Sequence, residues 1–545
     1  MICRLVLLLL AAIPLARAAN SNPQLSNPAT VNVLVGGDGT NKDKNIPLRY
    51  WTVTDFSKDT TKAPILLHLT FGGAGDTIVQ QQEGYVFDIA QQLNATLVVV
   101  ESRFNGQSLP TGVTVENTMA FYGTMKPDAQ LSDLKAVLTA IRKNNEVVYV
   151  SGSGYAGELA VLLQKQEGDG IAGSIVSNAH LRLHDGAGVE LGAYDKQLNA
   201  IYVLEGCATD KIKAGMAEIV KIGDETPAED LTTIQTELKL ESDPSSTRKF
   251  DLIAYLHSAY AGLALRNFDI EQEHPGAVKS VKYDKRPLKA YCNKIQEMSG
   301  DDLAAHMKPL KALIDAYYMD GDVAADGMHK YMKAEAYKNP PLDALNCLSM
   351  AEYSCTQGNP NDFFRKNPDC TTTDKWKTGI VAPDCVTQFT DFTAALFTPD
   401  YMKTKTSTFN FKDLKKVIFI ESEYDPGSVG AVTDISDTND QYRFLIPGAA
   451  RFAHLRQPST CDAENLKQLR VQTINILKCW QSAKTEGDCD RSKLKIDLKP
   501  YAAANGGTCS DLFLAYPTTP KGAGTATLSG LLLFAFATLL TACRV

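Results

Sequence analysis

Val150-Ser151-Gly152-Ser153-Gly154-Tyr155-Ala156-Gly157-Glu158-Leu159-Ala160 is the stretch on which the reading of this chain turns. The apolar run Val147 to Val150 leads into it as a strand, and the segment after Tyr155 leads out as a helix. Such a strand-to-helix bend presents the residue at its tip, and it is so tight that the positions two before and two after the tip must be small. With Ser153 at the tip those positions are Ser151 and Tyr155, and the tyrosine clashes. With Gly154 at the tip they are Gly152 and Ala156, and both fit. Sterics select Gly154. Glycine accepts strained backbone readily, but it offers no nucleophile.

On either side of this bend, strands alternate with helices. Ile65 to Thr70 and Thr96 to Val100 are buried-strand candidates, and Ala129 to Arg142 places Leu131, Leu134, Val137, Leu138 and Ile141 on one helical side. The alternation predicts βαβ units and a mostly parallel, doubly wound sheet. From about Asp210 to Lys338 the pattern is helical, with Ile212 to Ile222, Leu231 to Leu240, Phe250 to Leu265 and Leu303 to Tyr318 amphipathic and no convincing strand. Residues 339–400 read as disulfide-held loops. Strands resume at Val417 to Glu421 and Tyr442 to Ile446, followed by a helix from Glu464 to Trp480. The expected organisation is one sheet (19–185 and 401–490) interrupted by a helical, disulfide-containing cap (186–400), with a stalk at 491–521.

Several blocks carry a resemblance. The bend is similar to the Gly-Gly-Ser-Tyr-Gly-Gly elbow of the proline-directed serine carboxypeptidase family, which includes lysosomal prolyl carboxypeptidase and dipeptidyl peptidase II. Arg49-Tyr50-Trp51 resembles that family's early strand. Glu101-Ser102-Arg103-Phe104-Asn105-Gly106-Gln107-Ser108-Leu109-Pro110 resembles its Glu-His-Arg-Tyr-Tyr-Gly-Xaa-Ser-Leu-Pro block. Asp425-Pro426-Gly427-Ser428-Val429-Gly430 resembles Asp-Pro-Trp-Ser-Gly-Gly, which holds the catalytic aspartate, and Ile446-Pro447-Gly448-Ala449-Ala450-Arg451 resembles the block ending in the catalytic histidine. The resemblance runs from about residue 45 to 480 and implies an α/β-hydrolase sheet with a helical cap.

Carried over position by position, the resemblance makes the triad Gly154, Asp425 and Arg451, so only the acid survives. Guanidinium stays protonated at any workable pH and cannot serve as general base, and triad members act as a unit. The Tyr155 backbone N–H is the oxyanion-equivalent donor. Two further expectations follow. Asp425 either pairs with Arg451, or Arg451 points to solvent. A rescued Ser153–His454 pair would require both loops to rebuild.

The net charge of -8 argues against nucleic acid as a partner. Residues 1–18 read as a secretory signal peptide. Gly522-Ala523-Gly524, a spacer and the apolar run Leu528 to Cys543 read as a glycosylphosphatidylinositol attachment signal with Gly522 as the attachment point. A tail helix in the membrane is the alternative. Ten of the twelve cysteines lie between these segments, which predicts about five disulfides in a secreted chain. Asn94-Ala95-Thr96 is a glycosylation sequon. His68 reads as a satisfied core residue. His180 and His184 have the i, i+4 spacing of a helical metal pair, but no third ligand is near, and no motif calls for a metal or cofactor. The leading expectation is a surface-anchored, non-catalytic homologue that binds a peptide or protein in its cleft. The alternatives are an active exopeptidase with rearranged residues and a purely structural surface protein, and a lysosomal or freely secreted location stands beside the anchored one.

Overall fold

The computed structural model describes residues 25–502, apart from residues 26, 37–43, 58, 115–120, 122, 184–188, 191, 241–243, 245–248, 274–281, 319–408 and 484–487. Eight strands form the main sheet: β1 (Ala29–Leu34), β2 (Asn45–Val53), β3 (Ile65–Thr70), β4 (Thr96–Glu101), β5 (Val148–Ser153), β6 (Gly173–Ser177), β9 (Val417–Ser422) and β10 (Tyr442–Ile446). Their order is β1-β2-β4-β3-β5-β6-β9-β10. β2 runs antiparallel to β1 and β4, and every other neighbouring pair is parallel. This is the α/β-hydrolase arrangement that the resemblance implied.

The helices are α1 (Gly75–Gln81), α2 (Tyr85–Leu93), α3 (Pro127–Ile141), α4 (Tyr155–Glu167), α5 (Ala193–Leu204), α6 (Thr209–Lys221), α7 (Ala228–Leu238), α8 (Lys249–Leu265), α9 (Pro287–Gln296), α10 (Leu303–Tyr318), α11 (Glu464–Ser482) and α12 (Arg491–Leu494). β3, β4 and β9 are apolar along most of their length, and together with β5 and β6 they are buried almost throughout, as parallel strands covered on both faces must be. On one face, Leu67, Val98, Val100 and Val150 pack with Leu134, Val137 and Leu138 of α3 and Leu159 and Leu163 of α4. α2 and α11 pack against each other, with α11 also lying against β10.

α5 to α10 lie between β6 and β9 and have a core of their own, made by Leu198, Ile212, Met216, Leu256, Leu310 and their neighbours. The Cys207–Cys292 disulfide joins the end of α5 to α9. Tyr424, immediately before Asp425, is buried in this helical core, so the loop carrying the acid is anchored by the cap. A second disulfide joins Cys479 to Cys489, and Cys461 is also disulfide-bonded. Cys347, Cys355, Cys370, Cys385 and Cys509 lie outside the described residues.

Two expectations need correction. The cap holds a two-stranded ladder, β7 (Gln272–Glu273) with β8 (Lys282–Tyr283), too short to leave a periodic signal. Residues 491–502 pack onto the body instead of starting a stalk: Gln472 Nε2 donates to Leu494 O at 2.5 Å, and a β-carbon on Gly448 would collide with the Tyr501 ring. His180, whose spacing to His184 was set aside as a metal pair, lies in the loop after β6, and His184, like Gly522, falls outside the described residues.

Candidate functional site

Gly154, Asp425 and Arg451 follow the C-terminal ends of β5, β9 and β10, the edge at which open α/β sheets bind ligands. Gly154 has φ +52° and ψ -127°, a conformation that L side chains rarely adopt, and α4 begins at the next residue. A β-carbon on Gly152 would collide with the Ala156 carbonyl, and one on Gly157 would meet Gly152 O and Ala179 Cβ at 3.0 Å. The bend is therefore as tight as the small residues implied, with Gly154 at its tip. A β-carbon on Gly154 would sit 3.3 Å from Arg451 Nη2 and 3.3 Å from Phe452 Cζ. An arginine and a phenylalanine thus flank the space a nucleophile's side chain would enter.

Asp425 is fully buried. Its Oδ1 accepts the Gly427 N–H at 2.9 Å, and its Oδ2 accepts from Asn178 Nδ2 at 3.1 Å and lies 3.0 Å from His180 Nε2. Arg451 Nε stands 3.4 Å from the same Oδ2, the ion pair considered as one of the two outcomes. The Arg451 guanidinium also lies over the Phe452 ring, 4.7 Å from its centroid. Asn178 ties the site together, because its Oδ1 accepts the Phe452 N–H at 3.2 Å and the Ser422 hydroxyl at 3.3 Å. Next to this cluster, Glu421 is buried, and among the described residues its Oε2 has no hydrogen-bond partner. Burial pushes its carboxyl up to about 8, with Asp425 adding to the shift and His180, Arg443 and Arg451 opposing it.

His180 and Asn178 were missed as site residues. They lie about 250 positions from Asp425 in sequence, so no local periodicity could link them. One signal was present: the resembling motif has a tryptophan where this chain has Gly427, and in this structure a β-carbon at Gly427 would collide with the His180 ring.

Tyr155 opens α4; its hydroxyl accepts from Gln130 Nε2 at 2.9 Å and its ring meets Phe71 edge-on at 4.9 Å. These contacts orient the residue whose backbone N–H points from the helix start. Ser153 and His454 do not pair. His454 is fully buried, its Nε2 lies 2.8 Å from Ser177 Oγ, and burial pulls its imidazole down to about 3. Ser153 Oγ instead donates to Glu83 Oε1. Glu83 Oε2 is 2.6 Å from His68 Nε2, and His68 Nδ1 is 2.9 Å from Ser151 Oγ. His68 is thus a satisfied core residue, within a polar chain that runs from Ser151 through His68 and Glu83 to Ser153.

The block Glu101 to Pro110 follows β4 and is tied down by buried hydrogen bonds. Glu101 Oε1 accepts from Gln107 N, Ser108 N and Ser108 Oγ, and its Oε2 accepts the Gly75 N–H at 3.0 Å. Buried Arg103 grips Asp133 through Nε and Nη2 at 2.7 and 2.6 Å. Asn94 is exposed at the C-terminus of α2 with φ +49°, a left-handed position that asparagine tolerates. Among the described residues no group of acidic, histidine and cysteine side chains is arranged to hold a metal.

The family described as serine carboxypeptidase S28 matches residues 39–473. "Putative serine protease pcp-1" of Caenorhabditis elegans is 24% identical over 468 residues, covering 80% of this chain and 79% of the relative. "Lysosomal Pro-X carboxypeptidase" of Mus musculus is 23% identical over 419 residues, covering 75% and 80%. Among solved structures, a proline iminopeptidase from Mycobacterium smegmatis aligns with a TM-score of 0.34 at 12% identity, covering 83% of this chain and 98% of that one.

Proposed function

The chain belongs to the serine carboxypeptidase S28 family, and from that premise we propose that it is a catalytically inactive member which binds peptide or protein ligands at the cell surface. The observation that carries this reading is the occupancy of the elbow. Gly154 supplies no hydroxyl, and Arg451 Nη2 and the Phe452 ring border the space where one would project. The surviving acid, Asp425, is engaged by His180, Asn178 and Arg451, so no free base stands at the tip. Without nucleophile and base the covalent route is closed. Secretion through residues 1–18, a glycan on Asn94 and a lipid anchor at Gly522 complete the proposal. Exposure of Asn94 favours the glycan.

The experiment is a cleavage assay on peptides with an internal or penultimate proline, with an active prolyl carboxypeptidase as reference. The proposal expects no product above the uncatalysed background, together with retention of peptides on the immobilised protein. Release of the protein from cells by a phosphatidylinositol-specific phospholipase tests the anchor.

A second reading rests on one observation, the Ser153–Glu83–His68 chain. Here Ser153 is the nucleophile and Glu83 takes its proton directly, making the protein an exopeptidase with rearranged residues. Ser153→Ala abolishing a measured cleavage activity would select this reading.

A further inference from the structure

A small, partly open cleft lies between the cap segment Asn267–Ile270 and the loops around α11's start, with Tyr501 on one side. Gly154, Tyr155, Asp425 and Arg451 do not line it. Among the described residues, two polar groups in its wall lack partners. Asn267 is only 1% exposed, and its Nδ2 donates to Glu205 Oε1 at 2.8 Å, which fixes the amide and leaves Oδ1 without a donor. Arg456 Nε is buried and makes no hydrogen bond, while the guanidinium lies over the Phe268 ring at 5.2 Å. An orphaned buried polar group costs about 1–3 kcal/mol, and more when charged. Such groups call for an occupant.

The charges around the cleft say which kind. Arg266 and Arg470 both lie close enough to repel Arg456, and Asp462 is the carboxylate that opposes them there. Asp462 is already committed, because it is ion-paired with Arg470 and accepts the Ser459 N–H at 2.6 Å. Asp269, also in the wall, is engaged by the Tyr501 hydroxyl and lies 3.7 Å from Arg286. Burial above all, aided by Arg470 and Arg266, pulls the Arg456 guanidinium down to about 10. It remains a cation at neutral pH with too little counter-charge.

We propose that this cleft binds a carboxylate that carries a neighbouring hydrogen-bond donor, with the carboxylate on Arg456 and the donor on Asn267 Oδ1. A planar guanidinium suits a carboxylate, and the orphaned amide oxygen demands an N–H or O–H beside it. The last residue of a peptide presents both groups, and so does a small N-acylated acid. The site stands on its own residues, whether or not the elbow is catalytically silent.

Isothermal titration of the full chain with N-acetylglycine, N-acetylglycinamide, acetyl-tetraglycine with a free carboxylate, and sulfate tests the assignment. N-acetylglycine is expected to bind at one site per chain, at least about tenfold more tightly than its amide or sulfate, the scale of one charge-assisted hydrogen bond. Arg456→Gln is expected to remove that advantage, and Arg456→Lys to restore part of it. Tighter binding of acetyl-tetraglycine than of N-acetylglycine assigns a peptide end, and weaker binding assigns a small acid. Equal binding of the acid and the amide, no binding of either, or acid binding unchanged in a folded Arg456→Gln protein would overturn the proposal. Should Arg456→Gln fail to fold, the acid–amide comparison in the unaltered protein decides.

Discussion

A β-carbon built on Gly427 would fall 1.9 Å from Cε1 and 2.1 Å from Nε2 of the His180 imidazole. The missing atom lets His180, from the turn after β6, place Nε2 3.0 Å from Asp425 Oδ2. A carboxylate that is fully buried must be paired or hydrogen-bonded. Here the histidine arrives from a different loop, and the position after β10 holds an arginine at 3.4 Å. Asp425 is thus fully buried and held by His180, Asn178 and Arg451.

Adding the missing methyl at Gly427 forces the ring aside. Gly427→Ala is expected to lower stability by about 1–3 kcal/mol, as overpacking does. In the double variant His180→Ala, Gly427→Ala the two effects should sum to less than the separate losses, because the clash is already gone. Urea denaturation of the single and double variants measures the coupling.

Gly154→Ser restores a hydroxyl at the elbow but not a base. The serine must adopt φ +52°, a strain of about 1–3 kcal/mol, and displace Arg451 Nη2 and the Phe452 ring slightly from 3.3 Å. No turnover is expected from this variant alone. Gly154→Ser combined with Arg451→His places hydroxyl, imidazole and Asp425 in the family's arrangement, and cleavage after proline should become measurable by mass spectrometry of the products.

Two buried groups give the protein opposing pH slopes. Glu421 has its folded pKa raised from 4.5 to about 8, so the folded state holds the proton more tightly. Its contribution is present at low pH and is lost as pH rises from about 4.5 to 8. His454 has its folded pKa lowered from 6.5 to about 3, so the unfolded state holds the proton more tightly. Its contribution is present above pH 6.5 and is lost as pH falls toward 3. Glu421→Gln is expected to flatten the alkaline limb, a change on the order of a few kcal/mol at pH 8. Denaturation midpoints measured from pH 4 to 9 for both proteins check the sign.

The buried Arg103–Asp133 pair predicts a large effect far from the elbow. Arg103 Nη1 also donates to Val35 O at 2.7 Å, so the guanidinium joins the edge strands to α3. Arg103→Met strands Asp133 without its cation, and a loss of about 3–5 kcal/mol is expected from breaking one side of a buried pair. The urea midpoint is the readout.

Local signals carried much of this fold. The spacing Gly152, Gly154, Ala156 located the elbow, because the collision that demands it lies within five residues. Tyr442 to Ile446 and Leu303 to Tyr318 were legible because their apolar periodicity is complete. β1 was not, since it is an edge strand with mostly exposed side chains, and β6, Gly-Ser-Ile-Val-Ser, is too short and too rich in small residues to declare itself. At the site, Asp425 and Arg451 were found through blocks of sequence. His180, Asn178 and Glu83 act through contacts that only the closed sheet creates. The packing of Tyr501 on Gly448 escaped for the same reason.

The claim that the elbow lacks a working nucleophile is tested most directly by intact-protein mass spectrometry after exposure to a fluorophosphonate probe, with peptide mapping of any adduct. The account predicts an unmodified mass under conditions that label an active prolyl carboxypeptidase to completion. A stoichiometric adduct mapped to Ser153, or to any other serine of this chain, would contradict it.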